Sequence, residues 1–205
     1  MQDRINKLLR QIPGWAVYLA GVLPFLWIVW LVSTGSIGPD PIREIEHRLG
    51  KLALQLILGG LLVTPLRRFL GINALKHRRA IGLLAFFYTV MHVVAWFVLD
   101  MGMLTQQAVA DVFKRPYLML GMGATLMLLP LAITSNNLSI RTLGGARWRK
   151  LHWLVYPAAV LAAVHFVWLV KAWPPEPLLY LAGVLILLAV RMIPKWRPRT
   201  AAQRA

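Results

Sequence analysis

The sequence predicts an all-α integral membrane protein, a six-transmembrane-helix bundle with both termini in the cytoplasm. Of its 205 residues, 59% are hydrophobic and 15% charged, and its mean hydropathy is +0.62. Soluble domains contain roughly 25% charged residues. The chain also has six apolar runs near the roughly 20 residues that cross a bilayer, and its positive charge falls on one side of them. These observations exclude a water-soluble globule and predict one membrane domain over residues 1–205.

The predicted spans follow the apolar runs in order. They cover residues 14–32, 49–66, 80–99, 117–134, 151–170 and 178–193. The first run is too long for the apolar region of a signal peptide and lacks a small-residue cleavage site, so we interpret it as a helix. Only the sixth is somewhat short for a span.

Glycine and proline mark the connections between the runs. They occur at residues 35–41 before the second run, 115–116 before the fourth, 144–145 before the fifth and 174–177 before the sixth. None of these connections is long enough to form a domain. The sequence also has no glycine-rich phosphate loop, because the glycines at 121 and 123 lie inside an apolar run and are typical of close helix packing.

Lysine and arginine are distributed unevenly between the two sides of the predicted bundle. The side of both termini holds 17 of the 23: Arg4, Lys7, Arg10, Arg67, Arg68, Lys76, Arg78, Arg79, Arg141, Arg147, Arg149, Lys150, Arg191, Lys195, Arg197, Arg199 and Arg204. The other side holds the remaining six, Arg43, Arg48, Lys51, Lys114, Arg115 and Lys171, balanced by six of the seven acidic residues. The positive-inside rule therefore places both termini in the cytoplasm. The net charge of +16 indicates topology and attraction to membrane lipid, not nucleic-acid binding.

The chain contains no cysteine. This excludes disulfides, thiolate zinc sites, iron–sulfur clusters and the cysteine attachment of c-type haem. Any metal must be held by histidine, methionine, carboxylate or backbone groups. The spans also contain no nucleophile beside a base and no paired carboxylates, so we expect no catalytic residues.

Two histidines within the spans lie at matched depth. His92 is about 18 Å along the third span and His165 about 21 Å along the fifth, and both helices run outward. An imidazole in hydrocarbon is costly unless it gains a partner. The pair could clamp a flat macrocycle, the bis-imidazole geometry of haem b. An interhelical hydrogen bond or a proton relay is the alternative.

His152 lies 13 residues before His165 on the same predicted helix, about 20 Å nearer the cytoplasm. That depth suits a second haem stacked below the first, so His152 is a third candidate ligand. On an ideal helix the two side chains point about 140° apart. Pro157 lies between them and could kink the helix enough to correct this difference.

The other two histidines lie at span ends. His77 could pair with His152 at the cytoplasmic side, but it stands in the run Lys76-His77-Arg78-Arg79, which favours a solvated basic loop. His47, at the outer end of the second span, is expected to be solvated. Its functional alternative is a contact with a quinone or, together with Arg43 and Arg48, with haem propionates.

Several short motifs, in order along the six spans, resemble one known family. They are Gly21-x-x-Pro24-Phe25-Leu26-Trp27, Asp40-Pro41, His47-x-x-Gly50, Thr64-Pro65-Leu66, Arg78-Arg79-x-x-Gly82-Leu83, His92, Arg115-Pro116-Tyr117-x-x-x-Gly121, Thr134-Ser135, Leu143-Gly144-x-x-x-Trp148-x-x-Leu151-His152-x-x-x-Tyr156 and His165-x-x-Trp168. Over almost its whole length the chain resembles the MsrQ (YedZ) family. These are haem-binding membrane subunits of the methionine sulfoxide reductase system, within the ferric-reductase-like transmembrane group.

The resemblance implies a six-helix haem b protein of the bacterial inner membrane. Such a protein passes electrons to a periplasmic molybdopterin methionine sulfoxide reductase, the catalytic subunit that repairs oxidised proteins. The family's haem ligands correspond to His92, His152 and His165, with no histidine expected at position 77. The implied donor is the quinol pool or a cytosolic flavin reductase.

FMN is a further cofactor that the resemblance implies. Two basic clusters could hold its phosphate or bind a donor: Arg67, Arg68, Arg78 and Arg79, and Arg147, Arg149 and Lys150.

Two other classes of function stay open from the sequence. A transporter or proton channel would use His92 and His165 as a proton relay and would have no visible chromophore. An assembly or scaffold protein would tolerate neutral replacements of either histidine. A self-sufficient ferric reductase is disfavoured, since no nicotinamide- or flavin-binding domain follows the last span.

Overall fold

The structure is a computed structural model that describes residues 2–170, 172 and 174–193. This part of the chain is helical and contains no β-strand. Its α-helices are α1 (Gln2–Gln11), α2 (Gly14–Ser33), α3 (Pro41–Phe69), α4 (Arg78–Ala95), α5 (Thr105–Lys114), α6 (Pro116–Ile133), α7 (Asn137–Leu151), α8 (Val155–Leu169) and α9 (Pro175–Met192). Short 3₁₀ turns precede α4 and α8, and a π-helical turn at Trp96–Asp100 follows α4.

Six helical segments are long and apolar enough to cross a membrane, which confirms the predicted six-helix bundle. They are Gly14–Ser33, Pro41–Phe69, Leu75–Asp100, Pro116–Ile133, Asn137–Leu169 and Pro175–Met192. The second and fifth extend well beyond the predicted runs because polar turns continue their helices. The predicted turn at Gly144-Gly145 is instead a kink, where Gly144 has a φ of 74° inside the segment of α7.

The first and last described segments lie at the same end of the bundle. Arg68 at the end of α3 donates a hydrogen bond to the carbonyl of Ile193, and Asn6 of α1 donates one to the carbonyl of Gly71. We call this the basic end, because α1, the α3–α4 connection and Arg191 meet there. The predicted tail residues Lys195, Arg197, Arg199 and Arg204, and Lys171 in the last connection, lie outside the described residues.

The opposite end has mixed charge. The ion pairs found among the described residues lie there: Glu44 with Arg48, Glu176 with Lys51, and Asp111 with Arg115. The basic residues of the described chain at the other end form no ion pair. This matches the charge separation in the sequence and leaves those cations able to interact with anionic lipid or a bound anion.

The packed centre of the bundle is α8. Ala158, Ala159 and Ala163 have no exposed surface, so the small side chains let α6 and α9 approach α8 closely. Two cavities, described below, lie beside α8 at different depths along its length.

The fully buried Tyr88 of α4 attaches α2 to the bundle. Its hydroxyl donates to the carbonyl of Gly21 at 2.6 Å and accepts from the N–H of Phe25 at 3.1 Å. Pro24 lies at this point of α2 and disturbs its backbone ladder. The tyrosine therefore satisfies two backbone groups that the proline-containing turn leaves free.

Candidate functional site

A narrow apolar cavity lies between α3, α4, α6 and α8 in the half of the bundle nearer the mixed-charge end. We call it the His92 cavity. Its volume is about 100 Å³, and His92 and His165 both line it. The rest of its wall is largely apolar, with Leu54, Leu128 and Phe166 among the lining residues.

His92 and His165 face each other across this cavity. Their ring centroids are 6.2 Å apart, with an angle of 73° between the ring planes. The matched depth inferred from residue counting is therefore confirmed. Their assignment as metal ligands stays a prediction.

The backbone fixes the tautomer of both rings. Nδ1 of His92 is 3.0 Å from the carbonyl oxygen of Glu46, and Nδ1 of His165 is 2.6 Å from that of Tyr117. A carbonyl oxygen only accepts, so each Nδ1 bears the proton and donates it. Each Nε2 keeps a free lone pair, which is the arrangement that metal-binding histidines usually have.

Two glycines provide space for the two rings. A Cβ at Gly50 would stand 3.3 Å from Cε1 and Nδ1 of His92. A Cβ at Gly121 would stand 3.0 Å from Nδ1 of His165. Each imidazole therefore lies directly against a helix backbone, and a side chain in place of either glycine would crowd the ring.

The residues of this cavity fit a haem. Metal–nitrogen bonds of about 2 Å on both sides of an iron put two imidazole centroids about 6 Å apart, close to the observed separation. Among the described residues no cluster of three or more histidine, aspartate or glutamate side chains could enclose a metal ion. A metal ion between His92 and His165 would therefore need further ligands from a cofactor. The apolar wall suits a porphyrin, which is mostly hydrophobic.

The cavity reaches polar residues near the mixed-charge end. Glu46, His47 and Lys51 belong to its wall, and His47 is partly buried. His47 is thus neither fully solvated nor enclosed, and its contact with a ligand stays a prediction. One carboxylate oxygen of Glu46 is buried without a hydrogen-bond partner.

A second, larger cavity lies nearer the basic end. It has a volume of about 510 Å³, and we call it the His152 cavity. Four arginines line it: Arg78, Arg79, Arg149 and Arg191. Its aromatic lining residues are Phe86, Trp148, Trp153 and Tyr156. This combination suits a planar ligand with an anionic group.

The environment of His152 differs from that of the facing pair. Its Nε2 is 3.3 Å from the hydroxyl of Thr134, whose own proton goes to the carbonyl of Pro130 at 2.6 Å. The hydroxyl therefore accepts from His152, and Nε2 is the protonated nitrogen. Trp148 stacks on the ring at a centroid distance of 3.8 Å. No other histidine lines this cavity in the described chain.

Arg191 of α9 crosses the His152 cavity. Its guanidinium donates to the carbonyl of Leu61 and to the hydroxyl of Tyr156, and stands over the Tyr156 ring at 5.2 Å. Its Nε is buried without a hydrogen-bond partner. The sequence grouped Arg191 only with the charges of the tail, so its place in this cavity was missed.

The two cavities share a thin wall. Ile57 of α3 and Leu128 of α6 line both of them. Ligands in the two cavities would therefore be separated by about one layer of side chains.

His77 has a structural position. It is 5% exposed, and its Nε2 donates to the carbonyl of Leu9 in α1 at 3.0 Å. The solvated basic loop predicted for it is wrong, since α1 covers the residue. The alternative pairing with His152 is also not formed, because His77 does not line the His152 cavity.

Comparison with known proteins first defines the class. Residues 47–163 match the family model described as "Ferric reductase like transmembrane component". No solved structure matches the chain.

Curated relatives then define the family more closely. The chain is 47% identical over 191 residues to the "Protein-methionine-sulfoxide reductase heme-binding subunit MsrQ" of Brucella ovis, and equally to those of Brucella canis and Brucella suis. Each match covers 93% of this chain and 86% of the relative. The chain therefore belongs to the MsrQ family of ferric-reductase-like membrane proteins, as its motifs predicted.

Proposed function

We propose that this chain binds haem b between His92 and His165 and acts as the electron-transfer subunit of a methionine sulfoxide reductase. The observation that supports this most directly is the facing pair, 6.2 Å apart, with both Nδ1 atoms bonded to backbone carbonyls. A haem held there would supply one-electron transfer. The family name of the relatives, with its words "heme-binding subunit", points the same way.

The chain's own residues would hold and shield the cofactor. His92 and His165 would hold the haem through their Nε2 atoms, while Glu46 and Tyr117 orient the rings through their carbonyls. The apolar wall would limit water access, which tunes a redox potential. The oxygen-atom chemistry would belong to a periplasmic molybdopterin catalytic subunit, so we assign no catalytic residue to this chain.

The proposed setting is the bacterial inner membrane, with the basic end in the cytoplasm. The charge separation between the two ends supports this orientation. Electrons would come from the quinol pool or from a cytosolic flavin reductase. They would leave at the mixed-charge end, where the His92 cavity lies closest to the surface.

We propose a second cofactor in the His152 cavity, and FMN fits its residues better than a second haem. The four arginines suit a phosphate, and the aromatic residues suit an isoalloxazine ring. A second haem would use His152 as a ligand. That role would require His152 to give up its Nε2 hydrogen bond to Thr134 or to bind through Nδ1.

The haem assignment is tested with the purified full chain in detergent, made with ample haem. We expect a b-type α-band in the dithionite-reduced minus oxidised spectrum, and its loss in His92→Ala and His165→Ala. His77→Ala is the control and should keep the band, because His77 lines neither cavity. A folded wild-type chain without a chromophore would contradict the proposal and favour the proton-relay alternative.

Cofactor content tests the His152 cavity. We expect one haem per chain by pyridine haemochrome and one FMN per chain. The FMN content should be lower in Arg191→Met but unchanged in Arg67→Met, because the side chain of Arg67 is exposed. Two haems per chain, falling to one in His152→Ala, would instead establish His152 as a ligand.

A further inference from the structure

A polar pair stands on the exposed surface between α3 and α9, two helices long and apolar enough to cross a membrane. Nε2 of Gln55 donates to the hydroxyl of Tyr180 at 2.7 Å, and Gln55 is exposed. One turn toward the mixed-charge end, Lys51 pairs with Glu176 at 3.3 Å. Because both contacts advance by four residues on both helices, the Gln55–Tyr180 pair lies about 6 Å further into the membrane than the ion pair.

This pair has unused hydrogen-bonding groups. The amide of Gln55 keeps its carbonyl oxygen and one N–H, and the phenol of Tyr180 keeps its O–H. Within the part of the chain that the structure describes, these groups have no other partner. A donor and an acceptor are thus presented side by side toward lipid.

Unpaired polar groups are unfavourable in hydrocarbon. Water cannot satisfy them there, and polar side chains in spans usually bond across helices. A leucine at position 55 would avoid this cost, as at the exposed Leu62 two turns along the same helix. The free groups therefore indicate a partner that arrives from the membrane.

The pair is also connected to the His92 cavity. Phe166 lines that cavity beside His165, and its ring packs against Tyr180 with centroids 5.9 Å apart. One layer of aromatic side chain thus separates the lipid-facing pair from the cavity of the facing histidines.

We propose that Gln55 and Tyr180 bind the ring of a lipid-soluble quinol or quinone at this surface. Such a ligand is flat and apolar, it diffuses within the bilayer, and its two oxygens donate or accept hydrogen bonds. The free N–H, C=O and O–H groups match that chemistry, and the rings of Tyr180 and Phe166 offer an aromatic surface. The role of this site rests on the proposed function, since the bound quinol would donate electrons to a haem in the His92 cavity.

The first experiment measures binding and needs no haem. The full chain in nanodiscs is irradiated with a photoreactive azido-benzoquinone that has a decyl chain, and the labelled peptides are mapped by mass spectrometry. We expect labelling on α3 and α9 around Gln55 and Tyr180. A fivefold excess of decyl-benzoquinone without the azide should suppress it.

Variants then test whether Gln55 and Tyr180 are responsible for the labelling. In Gln55→Leu and Tyr180→Phe we expect about fivefold weaker labelling at limiting probe, equivalent to about 1 kcal/mol and close to what one hydrogen bond contributes. Leu179→Ala is the matched control, because Leu179 is 70% exposed beside Tyr180. Unchanged labelling in the double variant, or labelling confined to other helices, would overturn the inference. So would a change from dimer to monomer in Gln55→Leu with labelling intact, which would show that a second copy covers the pair.

The haem-loaded protein supplies an independent readout. Reduction by decyl-benzoquinol should slow about fivefold in Gln55→Leu, while dithionite should reduce all variants to the same spectrum. Equal rates with the quinol in wild type and both variants would contradict the site. If no variant and no wild type binds haem, the proposed function fails while the labelling still decides the binding site.

Discussion

Gly121 of α6 lies directly against the imidazole of His165 on α8. A Cβ at position 121 would stand 3.0 Å from Nδ1 and 3.1 Å from Cε1 of that ring. One turn earlier on α6, the carbonyl of Tyr117 accepts the hydrogen bond from the same Nδ1. A single face of α6 therefore sets both the position of the His165 ring and its tautomer.

Gly121→Ala should lower haem content. The added methyl group would push the His165 ring away from α6 and weaken its hydrogen bond to Tyr117, so the two imidazoles would no longer face each other correctly. The α-band per mole of purified protein measures this loss. Gly123→Ala is the control, since its Cβ would meet only Leu161 at an ordinary 3.5 Å. Equal haem content in the two variants would show that the close approach is unimportant.

Tyr88→Phe should destabilise the bundle. Without the hydroxyl, the carbonyl of Gly21 and the N–H of Phe25 lose their shared partner in an apolar setting, at a cost of about 1–3 kcal/mol. Thermal unfolding in detergent should show a lower midpoint than wild type. Tyr18→Phe removes a hydroxyl from a 37% exposed tyrosine of α2, and should leave the midpoint unchanged.

His77→Ala should release α1 from the basic end. The buried imidazole donates to the carbonyl of Leu9, and its loss would leave Asn6 and Lys76 as the main remaining contacts of α1. Trypsin should then cleave faster at Lys7 and Arg10 in the purified protein. The exposed Arg67, replaced by glutamine, serves as a control with normal cleavage in α1. Haem content should not change in either variant, because His77 lines neither cavity.

α5 should lie in the membrane surface at the mixed-charge end. The helix packs on the protein through Ala108, which is 5% exposed, and presents Val109 and Phe113, 53% and 72% exposed, on an adjoining face. Gln107 lies on the side away from those apolar residues. The chain has no cysteine, so single cysteines for spin labelling can be introduced without background.

For the cysteine variants we expect a clear difference in accessibility. Labels at Val109→Cys and Phe113→Cys should collide with oxygen, which concentrates in lipid, more often than a label at Gln107→Cys does. The label at Gln107→Cys should in turn collide more often with a water-soluble nickel complex than the other two labels do. Equal exposure of all three labels to the nickel complex would place α5 in water, and its apolar face would then need a protein partner.

The sequence predicted the parts of the structure that depend on the bilayer itself. Six spans follow from apolar length, and the pairing of His92 with His165 follows from depth, because both helices start near the same surface. The separation of charge between the ends follows from the positive-inside rule. Each of these features is set by the distance of a residue from the membrane surface.

Features that depend on rotation and local packing were not predictable in this way. α1 and α5 are only ten residues long and amphipathic, so no apolar run indicates them. The burial of His77 requires α1 to cover it, and the place of Arg191 in the His152 cavity requires the register of α9. Residue counting also cannot show that Nε2 of His152 is hydrogen-bonded to Thr134, whereas a metal-ligating histidine needs a nitrogen with a free lone pair.

The thin wall formed by Ile57 and Leu128 also has an electrical consequence. Because the two cavities lie one above the other across the membrane, an electron that passes the wall moves along the transmembrane field. Moving one elementary charge across the full membrane corresponds to about 2.3 kcal/mol per 100 mV, and this step covers part of that distance. In the proposed orientation the interior is negative, so an outward-moving electron is driven by the membrane voltage. For electrons that enter from the cytoplasmic side through the His152 cavity, an energised cell would thus favour delivery of reducing power to its envelope.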